Sequence, residues 1–192
     1  MNKLSFFVFL FIVNSMNAQE KPYYYEIPAA PEDYSANTVA ARLVDGLGFR
    51  YFWATEGLRE EDLRFKPSEE ARTSLETIQH IYGLTRVLLN TTQKKPTSGG
   101  GESPEGFTAL RAATLENIRQ ASDILRQDDT NLEEMPMIFQ GSNGSTEYPF
   151  WNLINGPVSD ALWHVGQVVT FRRSSGNPLP KGVRVLQGTK TD

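Results

Sequence analysis

The sequence predicts an all-α fold, a four-helix bundle with a short hairpin or ordered loop before the last helix. Three observations predict it. Four segments repeat apolar residues at spacings of three and four, the period of a helix that buries one face. The connections between them are mostly polar and compact enough for neighbouring helices. Both histidines of the 192-residue chain fall within two of these segments, beside residues of the apolar stripe.

The first residues stand apart from this pattern. Met1-Asn2-Lys3 gives a positive start, Leu4 to Val13 is apolar apart from Ser5, and Asn14 to Ala18 is small or polar. That is the pattern of a signal peptide over residues 1–18, cleaved near Ala18. The apolar run is shorter than the roughly 20 residues a membrane span needs. The expectation is export to the periplasm or the extracellular space, with no stable membrane insertion after cleavage. The remaining length, about 170 residues, suits one domain with a sizeable core.

The formal charge is −4 and there is no strong basic patch, which argues against nucleic acid as a partner. Cysteine is absent. Thiol nucleophiles, disulfide staples and a lipid anchor at the cleavage site are therefore excluded.

Residues 19–36, with Pro22, Tyr23, Tyr24, Tyr25, Pro28 and Pro31, read as an extended arm packed over the domain. The bundle itself is read over residues 37–180. Its first helix runs from Asn37 with Val39, Leu43, Leu47, Arg50 or Tyr51, and Ala54 on one face, and stops at Gly57. Gly46 and Gly48 each weaken it by about 1 kcal/mol relative to alanine, and their small size suits the close approach of a neighbouring helix. A charged connection over 59–67 follows.

Thr73 and Glu76 form a capping box that opens the second helix, which carries His80 and ends near Asn90. Residues 91–104, with Gly99-Gly100-Gly101, read as a flexible linker. The third helix spans about 105–127 and turns Phe107, Leu110, Thr114, Ile118, Ala121 and Leu125 inward. Met135 to Leu153 then breaks the helical period, and Gly141-Ser142-Asn143-Gly144 signals a turn between two β-like segments. The last helix opens at Gly156-Pro157, with proline preset for the first helical position. It buries Val158, Ala161, Leu162, Val165, Val168 and Val169, and stops before Ser175-Gly176-Asn177-Pro178. Residues 181–192 are a C-terminal tail.

Asp160 and His164 stand four residues apart, so both side chains leave the same face of the last helix. Packed beside the second helix, they form with His80 a three-donor metal site with open coordination positions. Two imidazoles and a carboxylate suit divalent zinc, nickel, iron or manganese, and the residue types do not choose among them. Each residue also has a plain structural reading. Asp160 near a helix start gains about 0.3–1 kcal/mol from the helix dipole, and either histidine serves equally as a hydrogen-bonded core residue. Glu76, four residues before His80, is explained by the capping box and stays outside the ligand set. Gln167 is placed to hold the His164 imidazole or a water, or simply to be solvated. No Gly-x-Ser-x-Gly elbow is present, and Gly99-Gly100-Gly101 lacks the surroundings of a phosphate loop.

Two stretches carry a family resemblance. One is Trp53-Ala54-Thr55-Glu56-Gly57-Leu58 through Glu61-Asp62-Leu63, Phe65-Lys66-Pro67 and Thr73 to Ile81. The other is Asp160-Ala161-Leu162-Trp163-His164-Val165-Gly166-Gln167 with Arg172-Arg173 and Gly176-Asn177-Pro178. Together they resemble the DinB-like superfamily of metal-dependent four-helix-bundle proteins, which includes YfiT-type hydrolases and thiol-dependent transferases. The second stretch is similar to the family's His-x-x-x-His-x-Gly-Gln helix.

The resemblance covers most of 37–180. It implies an up-down-down-up arrangement with a metal near the bundle centre, held at positions 80, 160 and 164. His80 and His164 match the pattern directly, whereas Asp160 stands where the pattern has histidine. That departure lowers the net charge of the site and either shifts its metal preference or leaves it without a metal.

The implied function is metal-dependent hydrolase or thiol-transferase chemistry on an unidentified small molecule, with Trp53, Glu56, Trp163 and Gln167 near the pocket wall. The competing expectation is a non-catalytic binding or stress-related bundle, monomer or homodimer, whose His/Asp cluster is structural. An enzyme needs a reachable coordination position. A structural cluster is expected to be sealed by Trp163 and its apolar neighbours.

Overall fold

A computed structural model describes residues 21–191; the signal peptide read over residues 1–18 lies outside them. The start signals in the sequence act as expected. Ser35 accepts a hydrogen bond from the Thr38 amide and opens α1, Ala36–Thr55. The Thr73 hydroxyl accepts from the Glu76 amide at 3.1 Å, and the Glu76 carboxylate accepts from the Thr73 amide at 2.7 Å, opening α3, Ser74–Thr92. Glu76 thus holds a helix start together. Between these helices the charged connection contains a short helix, α2, Glu60–Arg64, which a five-residue span leaves invisible to periodicity.

Two further long helices complete the core: α4, Gly106–Leu125, and α6, Ser159–Ser174. The long helices pack as the pairs α1–α4, α4–α3, α3–α6 and α6–α1, so α1 and α3 lie across the core from each other. Contacts fix their directions. Asn37 bonds the carbonyls of Leu125 and Gln127, while Arg111 bonds Thr55 at the other end, so α1 and α4 are antiparallel. The C-terminal ends of α1 and α6 meet through Arg172, which gives that pair the same sense. Ser74 at the start of α3 bonds the Phe65 carbonyl, and the Phe65 ring stands 5.9 Å from that of Phe171 near the end of α6, so α3 and α6 are antiparallel.

Leu47, Phe49, Ile78, Ile81, Leu88, Leu110, Ile118, Leu125 and Val168 are buried in the shared core. Each such side chain contributes about 1.5–3 kcal/mol of transfer free energy.

The chain is mostly helical rather than all-α. β2, Met137–Gly141, and β3, Gly144–Tyr148, form the hairpin expected at Gly141–Gly144. A third strand, β1, Thr97–Ser98, pairs parallel to β2. The segment 91–104, read as a flexible linker, is therefore partly pinned. Asn90 donates to the Thr97 hydroxyl at 3.0 Å and holds it there. In the tail, β4, Val183–Arg184, and β5, Thr189–Lys190, make a second small hairpin.

The entry to the last helix also differs from expectation. A short helix, α5, Phe150–Leu153, runs into a π-helical turn at Ile154–Val158, and Pro157 lies inside that turn instead of at a first helical position. Proline has no amide to donate and its ring crowds the preceding turn, and a widened turn accommodates both defects. On α1, Val39 and Leu43 prove exposed, while Ala40, Ala41, Val44, Leu47 and Tyr51 are buried. Buried residues occur on most sides of this helix, so its apolar period does not point to one face.

The tyrosine arm packs over the domain, as read. Tyr24 is buried and bonds Asp45, which also accepts from Ser122 and pairs with Arg126. Burial, with the Asp45 carboxylate beside it, pushes the Tyr24 phenol well above its ordinary range. Gly48 of α1 serves this arm, not a neighbouring helix, whereas Gly46 faces the Arg50 side chain. A Cβ on Gly48 would stand 2.4 Å from the Tyr24 ring.

The ends of α1, α2 and α6 are tied by two buried charges. Arg172 donates to the carbonyls of Trp53, Ala54 and Glu56, groups that an α-helix leaves unpaired at its C-terminus. Asp62 accepts from Arg59, Ser175 and Asn177. The hydrogen bond from Arg59, helped by those from Ser175 and Asn177, holds the Asp62 carboxyl well below the usual carboxylate range.

Gly48→Ala is expected to cost about 1–3 kcal/mol in urea unfolding, and to become neutral or slightly stabilising in a Tyr24→Ala background where the clash is gone. Because the folded pKa of Asp62 is depressed, its contribution is complete above the unfolded carboxylate pKa of about 3.9 and is lost as pH falls below it. Asp62→Asn should therefore lower stability at pH 7 and flatten the fall between about pH 4 and pH 2; an unchanged acid limb contradicts this assignment.

Candidate metal centre

The first two turns of α6 and the second turn of α3 build the site. Asp160 and His164 project together from α6, and the antiparallel packing of α3 brings His80 against them. The Asp160 carboxylate bridges both imidazoles, with Oδ2 at 3.2 Å from His80 Nε2 and Oδ1 at 3.3 Å from His164 Nε2. The two rings stand edge to face, with centroids 4.6 Å apart. One ligand atom from each residue can be chosen so that all lie within 4.8 Å of one another. The three residues predicted as ligands are thus brought together.

The donor set fits a divalent transition ion. Two ligand atoms bound tetrahedrally to one ion at about 2.1 Å are about 3.4 Å apart, close to the two carboxylate–imidazole separations. Two imidazoles and a carboxylate also match the ligand chemistry of zinc, iron, nickel and manganese.

Gln167 supplies the supporting contact. His164 Nδ1 lies 2.7 Å from Gln167 Oε1, and a carboxamide oxygen can only accept, so the Nδ1–H tautomer makes that bond. Nε2, which faces Asp160, then keeps its lone pair for a ligand bond. The Gln167 signal in the sequence was its spacing, one turn beyond His164, and the structure resolves it in favour of orienting the imidazole.

The other expected wall residues go elsewhere. Trp53 is buried and donates its indole N–H to the Tyr25 carbonyl at 3.1 Å, next to a separate groove. Glu56 pairs with Arg111 at 2.6 Å. Trp163 is 72% exposed and does not seal the cluster. The His80 and Asp160 side chains keep about a third of their surface in solvent, whereas that of His164 keeps 15%. The site is a reachable cluster, separate from the groove lined by Trp53 and from a second one lined by Trp151.

No family model, no curated protein and no solved structure matches this chain. The assignment of function therefore rests on the site itself and on the motif pattern.

Gln167→Leu should release the His164 tautomer. Nitrogen-15 correlation spectra of the neutral imidazole are expected to show Nδ1–H in the parent protein and a rise of Nε2–H in the variant; the same tautomer in both contradicts the orienting role of Gln167.

Proposed function

We propose that this protein is an exported, DinB-like, metal-dependent enzyme, an up-down-down-up four-helix bundle in which His80, Asp160 and His164 hold one divalent ion. The observation that carries the reading is the convergence of these three donors at a solvent-reachable spot. The pairwise packing and directions of α1, α3, α4 and α6 support the bundle arrangement, with the small sheets as additions at its periphery. Among the described residues no helix is long and apolar enough to cross a membrane, which is compatible with the exported reading.

When bound, a divalent ion supplies Lewis acidity for hydrolysis or for activating a substrate thiol. The chain's own residues do the rest. His80 and His164 offer imidazole lone pairs from two helices, Asp160 brings a negative charge between them, and Gln167 keeps His164 in the tautomer that can bind. The partner is an unidentified small molecule.

A second reading is favoured by the carboxylate bridge itself. Asp160 already stands near both imidazoles, an arrangement that also serves a non-catalytic binding or stress-related bundle. Metal content separates the two. The mature protein, purified without chelator or histidine tag, is expected to contain about one equivalent of zinc, nickel, iron or manganese by mass spectrometry, or to take it up on loading. His164→Ala should lose that metal while keeping most of its helicity. A protein that cannot be loaded, or a His164→Ala variant with undiminished metal, assigns the cluster to structure.

A further inference from the structure

A groove of about 700 Å³ runs between α1 and α6, on residues distinct from the metal-binding cluster, and the tail covers one side of it with Leu179, Val183 and Val185. Two of its lining positions carry no side chain. Gly46 and Gly166 both line it, and a Cβ on Gly166 would meet no heavy atom within 4 Å. The walls are apolar: Leu43, Leu162 and Val169 are accessible, and the buried Phe49, Trp53 and Val165 lie beneath them.

The charges around this apolar groove are one-sided. Arg42, Arg50 and Arg173 line it, and no aspartate or glutamate does, although the chain carries 23 acidic against 19 basic residues. Arg42 donates to the Pro28 carbonyl at 2.7 Å and Arg50 to the Gly46 carbonyl at 2.9 Å. These partners are neutral, so they occupy donors without cancelling charge. Among the described residues none of the three arginines forms an ion pair with a carboxylate. A guanidinium offers five N–H donors in a planar fork suited to a carboxylate, and most of that capacity is unspent here.

We propose that this groove binds a single-chain fatty-acid carboxylate, with the acyl chain along the apolar walls and the carboxylate against the arginines. Charge complementarity selects the anion. The volume falls within the roughly 300–1,000 Å³ typical of small-molecule sites. The apolar walls select a ligand with a hydrocarbon body over a small inorganic anion. The site is independent of the metal-binding reading, since none of its lining residues belongs to that cluster.

The test is calorimetric titration of the mature protein with dodecanoate below its micellar concentration, with dodecanol as the uncharged control. Dodecanoate is expected to bind saturably at one site, and dodecanol at least about tenfold more weakly, because a charge-assisted hydrogen bond is worth about a decade or more in affinity. The double variant Arg50→Ala/Arg173→Ala should weaken dodecanoate about tenfold or more and leave dodecanol unchanged. Gly166→Leu fills the open space with a better helix former and should abolish binding of both while circular dichroism stays native. Chelator treatment should change none of these results. Absence of saturable dodecanoate binding, equal binding of dodecanol, or undiminished binding in Gly166→Leu each overturns the proposal. A dimer in sedimentation that Gly166→Leu disperses assigns the groove to a second copy of the chain and overturns it as well.

Discussion

The buried guanidinium of Arg172 is the constraint on which the other helix positions depend. A positive charge leaves water only where acceptors replace the lost hydration, and here they are the last carbonyls of α1 together with the Asn177 backbone. The arrangement removes two problems at once, an unpaired helix end and an uncompensated charge. It also fixes α6 against α1 in both translation and rotation. Asp62 adds a second tie a short distance away, joining α2 to the turn that follows α6. With its C-terminal end held by these contacts, α6 presents Asp160 and His164 to α3. The candidate chemistry thus lies at the other end of a helix whose orientation is set by a buried ion.

The site and its support differ in character. The cluster of His80, Asp160 and His164 is partly solvated, and its parts come from two helices that pack on each other. The knot around Arg172 and Asp62 buries both charged side chains and surrounds them with hydrogen bonds. A hydrogen-bonded network at one end of α6 and a partly solvated cluster at the other divide the helix into a support and a reachable face. The α1–α6 groove has the same parentage, because two helices clamped at their C-terminal ends can leave space between them where glycines replace side chains.

How much of this was legible in the sequence follows from the range of the interactions involved. The capping box at Thr73 and Glu76 is encoded within four residues, and the inward face of α4 obeys a simple period, so both were readable. The three donors were readable because Asp160 and His164 share a helix face and His80 is the remaining histidine. The two-residue strand β1, the short α2 and the tail hairpin are too short to carry a local period of their own. Pro157 carried a true signal, a missing amide, but two structures satisfy it, and a π turn was chosen over a helix start. Trp53 and Glu56 lie in a stretch that carries the family resemblance, yet each serves another neighbourhood. Sequence adjacency to a motif does not place a side chain in a site.

One contact at the edge of the fold bears on how such a domain can be used. The Ile27 amide donates to the Gly188 carbonyl at 2.8 Å, so the arm enters the fold beside the place where the tail leaves it. Two segments that meet in this way, at Ile27 and Gly188, can be linked across by a short bridge without disturbing the helices between them. The glycine-rich stretch at Gly99–Gly101, between α3 and α4, then becomes the natural place to open the ring. The packing of the described helices is in this sense indifferent to which of their connections is the open one.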